Sequence, residues 1–282
     1  MRAEVAALLR CPHCAEGLAA EGRVLRCAAG HAFDVARQGY VNLLTGSGSV
    51  HAADTAEMVD ARQAFLEAGH YAPIVDAVAS IAVTGAPAGA VVDLGAGTGI
   101  HLAAVLARDP ARVGLALDLS KYAVRRAARA HPRIGAAVCD AWGPLPVRSA
   151  VAGVALSVFA PRSGGELARV LVPEGRLVVA TPTPAHLAEV TEPLGLLRVD
   201  EDKEQRLAAT LGRPFVRESR EEVAFALTLP HADVARLAAM GPSAWHTDPA
   251  TVTAAVAALP DPVTVTASVV VSAYRRRRTL AD

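Results

Sequence analysis

Aromatic side chains are scarce in this sequence: Phe, Trp and Tyr make up only 4% of its 282 residues. Neither charge is in excess. Lys plus Arg number 28 and Asp plus Glu number 28, for a net charge of zero. That excludes a uniformly basic coat, so any RNA or DNA surface must be a local patch. Lysine is almost missing, with Lys121 and Lys203 the only two; set beside 61 alanines, this reads as GC-rich coding bias rather than chemistry. Long apolar runs are lacking too. Met1 to Arg10 carries Glu4 and is too short for the apolar core of a signal peptide. The apolar uncharged run Ala77 to Val92 is broken by Gly85, Pro87 and Gly89 and does not read as a membrane span. Four cysteines, three of them within the first 27 residues, do not form a secreted disulfide scaffold. The expectation is a cytoplasmic protein. Apolar residues are plentiful at 52%, enough to bury a sizeable core and to exclude wholesale disorder.

The cysteines are placed where a metal needs them. Cys11-Pro12-His13-Cys14 is followed by Cys27 and His31, a C-x2-C-x12-C-x3-H spacing. A C-x2-C turn puts two thiolates on one side of an ion, and a second turn around Ala28-Ala29-Gly30 brings Cys27 and His31 to the other. Arg23 to Arg26 alternates like a short strand, which predicts a zinc ribbon of two hairpins. With all four positions filled by protein, the zinc is structural and leaves no place for water or substrate. His13 competes as a ligand, although two adjacent residues of a knuckle rarely both reach the metal. Cys139, far away in a strand pattern, reads as a buried thiol.

From residue 90 onward strand and helix patterns alternate. Ala90 to Leu94 is a buried strand ending in Gly95-Ala96-Gly97-Thr98-Gly99. Helix His101–Arg108, strand Val113–Asp118, helix Lys121–His131 and strands Gly135–Cys139 and Val151–Phe159 follow. Next come helix Gly165–Leu171 and strand Arg176–Thr181. Beyond these the pattern gives helices near 186–194 and 201–211, a strand or hairpin over 216–229, helices at 231–240 and 249–259, and a last strand over 263–274. Continuous apolar strands separated by helices predict a doubly wound parallel sheet, with ligands at the carboxyl ends of its strands.

The glycines fit NAD, FAD or S-adenosylmethionine, but their spacing is G-x-G-x-G and not the dinucleotide G-x-G-x-x-G. Asp118 ends the second strand, where a carboxylate accepts from both ribose hydroxyls. Asp140 follows the third strand, beside the place of an adenine. Leu171-Val172-Pro173-Glu174-Gly175-Arg176-Leu177 resembles the L-x-P-G-G-x-L turn of class I methyltransferases that use S-adenosylmethionine, with Glu174 in place of the first glycine. Together these favour the S-adenosylmethionine reading. The expected fold is therefore α/β: a Rossmann-like, seven-stranded class I methyltransferase sheet behind an N-terminal zinc ribbon. The expected divisions are a ribbon over 1–46, a linker and helical cap over 47–88, and the methyltransferase domain over 89–282.

The connecting residues carry a further likeness. Phe33 to Leu44 (FDVARQGYVNLL), Asp54, Glu57-Met58, Arg62, Phe65-Leu66 and Gly69 to Pro73, with Val158 to Pro161 and Ala180 to Leu187, resemble the RlmA family of 23S rRNA (guanine-N1)-methyltransferases. Asp54-Thr55, Phe159 to Arg162 and Met240 to His246 are similar to its branch from Gram-positive macrolide producers, which protects the ribosome against tylosin-type antibiotics. The resemblance implies methyl transfer to guanine-748, or to guanine-745, in a domain II hairpin loop. It implies zinc at Cys11, Cys14, Cys27 and His31, and a homodimer gripping RNA in a shared cleft. It also implies that Tyr71, Gly97, Thr98 and His186 contact S-adenosylmethionine. Asp93, Gly95, Gly99, Asp118 and Asp140 complete the candidate cofactor set.

No catalytic base stands out. The turn Phe159-Ala160-Pro161 is the candidate region for catalysis. Phe33 and Tyr40 read equally as core or as base-stacking rings. Lys121, Arg125, Arg126 and Arg129 give the best local basic face, and Arg275 to Arg278 is a charged end that reads first as solvated. The competing functions are a small-molecule methyltransferase of antibiotic biosynthesis and a non-catalytic RNA-binding module.

Overall fold

The computed structural model describes residues 1–46, 53–200, 203–245 and 248–278. His246 of the macrolide-producer likeness and the expected helix start at residue 201 lie outside the described residues. The chain opens with one helical turn, α1 (Ala3–Ala6), and a small antiparallel sheet of β1 (Leu18–Glu21), β2 (Val24–Cys27) and β3 (Ala32–Asp34). The ribbon is thus three-stranded, with Leu18 and Leu25 buried beneath it. A fourth short strand, β4 (Tyr40–Asn42), follows.

The large sheet is built from β5 (Ala90–Leu94), β6 (Gly114–Asp118), β7 (Ile134–Val138), β8 (Ala152–Val158), β9 (Leu171–Pro182), β10 (Phe215–Leu229) and β11 (Val263–Arg276). These are the seven expected strands. An eighth is added at the edge, because β4 pairs in parallel with β7, Val41 opposite Ala137. The order is β10-β11-β9-β8-β5-β6-β7-β4. β9, β8, β5, β6, β7 and β4 run parallel; β11 runs antiparallel to them, and β10, antiparallel to β11, points the same way as the parallel set. β5, β7 and β8 are buried along their whole length, as strands covered on both faces must be. β10 is one continuous strand and not a hairpin. It forms the outer edge and carries Arg217, Glu218, Arg220, Glu221 and Glu222, charges that discourage pairing with another chain.

Helices α2 (Ala56–Glu67), α3 (Ala72–Val83), α4 (Ile100–Arg108), α5 (Lys121–Ala130) and α6 (Gly164–Val170) cover the parallel half. α7 (Ala188–Thr191), α8 (Lys203–Leu211), α9 (His231–Ala239) and α10 (Pro249–Ala257) belong to the later half. Caps fix several starts: the Thr55, Ser120, Ser163 and Asp248 side chains accept amide protons from the first turns of their helices. The helix expected over 186–194 shrinks to the single turn α7. Pro193 has no amide proton to continue it.

Alternate strand residues feed two cores. Val91, Ala116, Leu156 and Val271 share one with α3 and α4. Val92, Leu94, Leu115, Leu117 and Val179 share the other with α6 and with ribbon residues Val5, Leu9 and Leu25. The link from β7 to β8, residues 139–151, contains no helix. α1 occupies the face a crossover helix would cover. Its approach is close: a β-carbon added to Gly135 would lie 2.5 Å from Val5 Cγ1.

The L-x-P-x-G segment turns out to be part of β9, where its register against β8 shifts. Glu174 there has φ of +64°, a backbone that glycine takes without penalty and other residues take at a cost of about 1–2 kcal/mol. Its carboxylate accepts from Arg275, 2.7 Å away. Arg275 also meets Glu218 at 2.8 Å, and Arg276 donates to the Leu171 carbonyl at 3.0 Å. The terminal arginine run is therefore tied into the sheet edge. Among the described residues, no helix is long and apolar enough to cross a membrane.

Candidate functional site

Two polar constellations lie on this frame, one in the ribbon and one at the carboxyl ends of the strands. In the ribbon, the Cys11 amide donates to the Glu16 carbonyl and the Gly30 amide to the Cys27 carbonyl, which fold the two knuckles. They bring the ligand atoms of Cys11, Cys14, Cys27 and His31 within 4.8 Å of one another. His31 Nδ1 lies 3.5 Å from Cys11 Sγ and 3.4 Å from Cys27 Sγ, and Cys14 and Cys27 Sγ are 3.6 Å apart. Tetrahedral zinc with Zn–S of about 2.3 Å and Zn–N of about 2.0 Å needs edges of roughly 3.5–3.8 Å, so the donor set fits that ion. His13 is not in the cluster. Its ring stacks on Phe33 at 5.9 Å and 12°. Cys139 is buried away from it.

The strand order reverses direction beside β5: the chain moves from β5 to β6 on one side and later to β8 on the other. Such a switch point opens a crevice at the carboxyl ends. Here it opens into a cavity of about 1070 Å³. Of the expected cofactor residues, Tyr71, Gly95, Gly97, Thr98, Asp118, Asp140 and His186 line it. Asp93 and Gly99 do not. Asp93 is buried at the end of β5, and Gly99 caps α4 in a left-handed conformation. Gly95 has φ of +65°, and a β-carbon there would lie 2.5 Å from Ala160 Cβ, so the turn after β5 and the turn after β8 can meet only through a glycine.

Asp118 organises the floor. Its two oxygens accept from the Gly97 amide at 2.9 Å and the Ser120 amide at 2.8 Å. Each oxygen keeps a second lone pair for a hydroxyl donor. Burial pushes the Asp118 carboxyl up, against the pull of those amides. Asp93 is raised to about 8, by burial first and the Asp118 charge second.

At the wall, the Ser268 amide donates to His186 Nδ1 at 3.1 Å. That nitrogen is the acceptor, so the imidazole proton sits on Nε2, 3.1 Å from the Tyr71 hydroxyl. Tyr71 Oη accepts there and keeps its own proton to donate; burial raises its pKa and holds it protonated. Phe159 has φ of +53°, and its ring lies 6.0 Å from that of His186 at 28°. Behind it, Arg162 donates to Ser157 Oγ at 3.0 Å and to the Ala160 carbonyl at 2.7 Å, which fixes the turn.

Sequence reasoning gave no role to three groups at this site. His101 is buried, lowered to about 4 by desolvation, and its Nδ1 has no partner. A buried, unsatisfied nitrogen on a cavity wall suits a polar ligand. Arg62 bridges Asp54 and the Met240 carbonyl. Trp142 stands exposed at the rim. A signal for His101 was its place in the first helical turn after the glycines. Of the basic face, Arg126 is paired with Asp60, and Lys121 lies 5.1 Å over the Tyr122 ring.

The RlmA N-terminal zinc-ribbon family matches residues 9–46. A 23S rRNA (guanine(748)-N(1))-methyltransferase of Streptomyces fradiae is 51% identical over 278 residues, covering 98% of this chain and 99% of that one. A Micromonospora griseorubida protein named as a 23S rRNA (guanine-N(1)-)-methyltransferase is 54% identical over 286 residues, covering 95% and 97%. This chain belongs to the RlmA family of 23S rRNA (guanine-N1)-methyltransferases. In fold alone it is similar to the solved complex of the Haloferax volcanii Trm112 methyltransferase activator with a methyltransferase. The TM-score is 0.50 at 18% identity, over 80% of this chain and 99% of that one. The RlmA-family enzyme is a class I methyltransferase that uses S-adenosylmethionine and holds a structural zinc.

Proposed function

We propose that the enzyme methylates N1 of guanine-748 of 23S rRNA, in a domain II hairpin loop, and so protects the ribosome against tylosin-type macrolides. One observation carries the position: 51% identity across nearly the whole chain to the S. fradiae enzyme named for guanine(748). The same reading places the enzyme in the cytoplasm with the ribosomes, as a homodimer around its RNA. It gives residues 1–46 to RNA recognition, 47–88 to a linker and helical cap and 89–282 to methyl transfer.

S-adenosylmethionine supplies a methyl group on a sulfonium, already activated toward a nucleophile. The protein's part is to align the two partners and exclude water. In this reading Asp118 accepts from the ribose hydroxyls and Asp140 lies at the adenine. Tyr71 donates its hydroxyl proton to a polar group of the cofactor, with His186 holding the phenol in place. The glycine turn over 95–99 lets the backbone approach the cofactor closely. Phe159 offers its ring as a wall for the guanine, which must leave its stack to enter. Guanine N1 must also lose a proton. His186 does not take it, since its free lone pair is already used by the Ser268 amide.

Primer extension on 23S rRNA from cells with and without the gene tests the reading, because N1 methylation blocks Watson–Crick pairing and halts the polymerase. A stop at guanine-748 in the gene-bearing cells alone is expected. A stop at guanine-745 would move the target. No stop at either, from protein that binds S-adenosylmethionine, would remove RNA from the function.

A further inference from the structure

Exposed apolar side chains are concentrated at one place. Among the described residues the large exposed hydrophobics are Tyr122, Trp142, Phe159, Leu197 and Trp245, and three of them, Trp142, Phe159 and Leu197, line the same cavity. Trp142 is 73% exposed, the most of the five. The cavity, at about 1070 Å³, lies just above the roughly 300–1,000 Å³ of pockets that hold one drug-sized ligand. Its mouth has room for something beyond a cofactor.

Trp142 is held there from both sides. Its own amide donates to Asp140 Oδ1 at 2.9 Å, an Asx turn that sets its direction from the end of β7. Three residues later Leu145 is fully buried. Its carbonyl accepts from Arg10 Nε at 3.0 Å and Arg169 at 3.1 Å, and the Arg10 amide donates to the Pro146 carbonyl at 3.1 Å. Arg10 precedes the zinc ligand Cys11, and Pro144 to Pro146 line a second hollow with Arg10 to Ala15. The loop thus runs from the cofactor cavity to the zinc knuckle with an open indole between its anchors. Single-stranded RNA is gripped by such rings, since every base has a face to stack.

We propose that the Trp142 indole is the stacking platform for an unpaired RNA base flanking the target guanine, on the zinc-ribbon side of the cavity mouth. The proposal rests on the rRNA reading above. It assigns Trp142 to substrate binding and separates it from the cofactor.

The test uses the full-length, zinc-loaded enzyme and a 23S rRNA hairpin fragment. In Trp245→Phe protein Trp142 is the sole tryptophan, and its fluorescence should respond to the RNA but not to S-adenosylhomocysteine. Trp142→Ala should raise KM for the RNA about 5- to 150-fold, the range one base stacked on an aromatic ring supplies. Its KM for S-adenosylmethionine and its thermal midpoint should stay at the wild-type values, and Trp142→Phe should restore most of the RNA affinity. A raised KM for S-adenosylmethionine with unchanged RNA KM would mean that the ring covers the cofactor and would overturn the proposal. Wild-type RNA kinetics in Trp142→Ala would overturn it too. If the wild-type enzyme methylates no RNA fragment, the rRNA reading itself falls, and the proposal with it.

Discussion

Asp93 and Asp118 show how a single carboxylate is shaped by its place in the sheet. Asp93 is the next-to-last residue of a strand buried on both faces, so its proton is retained to about pH 8 in the folded chain, whereas in the unfolded chain it leaves near pH 4. Between those values the native state binds the extra proton, and stability falls as pH rises. Asp93→Asn removes this pH dependence. The variant should gain on the wild type steadily from about pH 4 to about pH 8 in cofactor-free urea unfolding. A difference that stays flat with pH would show that Asp93 ionises freely in the folded protein. The carboxylate positions were legible because they close the strands after which the chain must turn. His101 and Trp142 were not, because burial and exposure at one mouth depend on what residues far along the chain place around them.

At the scale of elements, the least legible feature is the docking of the ribbon. β4 is three residues long and carries no periodicity, and nothing local in Tyr40-Val41-Asn42 indicates that it joins the edge of a sheet whose partner strand lies near residue 137. The seven strands from β5 to β11 were readable from apolar runs and turns, since each is set by local pattern. Their lengths were not: β9 extends back to Leu171 because its neighbour β8 supplies partners there. The contact of α1 with β7 can be measured. Gly135→Ala forces a methyl toward Val5 and should cost about 1–3 kcal/mol. In the Val5→Ala, Gly135→Ala double mutant the combined loss should be smaller than the sum of the two single losses, read from urea unfolding. Strict additivity would mean that α1 does not rest on that strand.

For the whole molecule, the zinc ribbon and the sheet share one buried core. The metal set was legible from spacing alone, since Cys11, Cys14, Cys27 and His31 are local to two turns. The sharing of a core between Val5, Leu9 and Leu25 of the ribbon and Leu94 and Leu115 of the sheet was not, because it is made by packing at long range. Chelating the metal, or changing Cys27 to Ser, should therefore lower the unfolding midpoint of the entire chain in a single transition. Two separate transitions, with the later one unmoved, would show that the ribbon melts alone.

The borrowed cover on the sheet has a consequence for synthesis. α1 leaves the ribosome more than a hundred residues ahead of the strand it must rest on. Until β7 follows, Val5 and Leu9 can pack only against the ribbon's own Leu18 and Leu25, and β7 in turn has no crossover helix to shelter it. Metal capture by the two knuckles would hold that first segment together in the meantime. A cell short of zinc would be left with nascent chains whose unshielded faces meet each other before they meet their own N-termini.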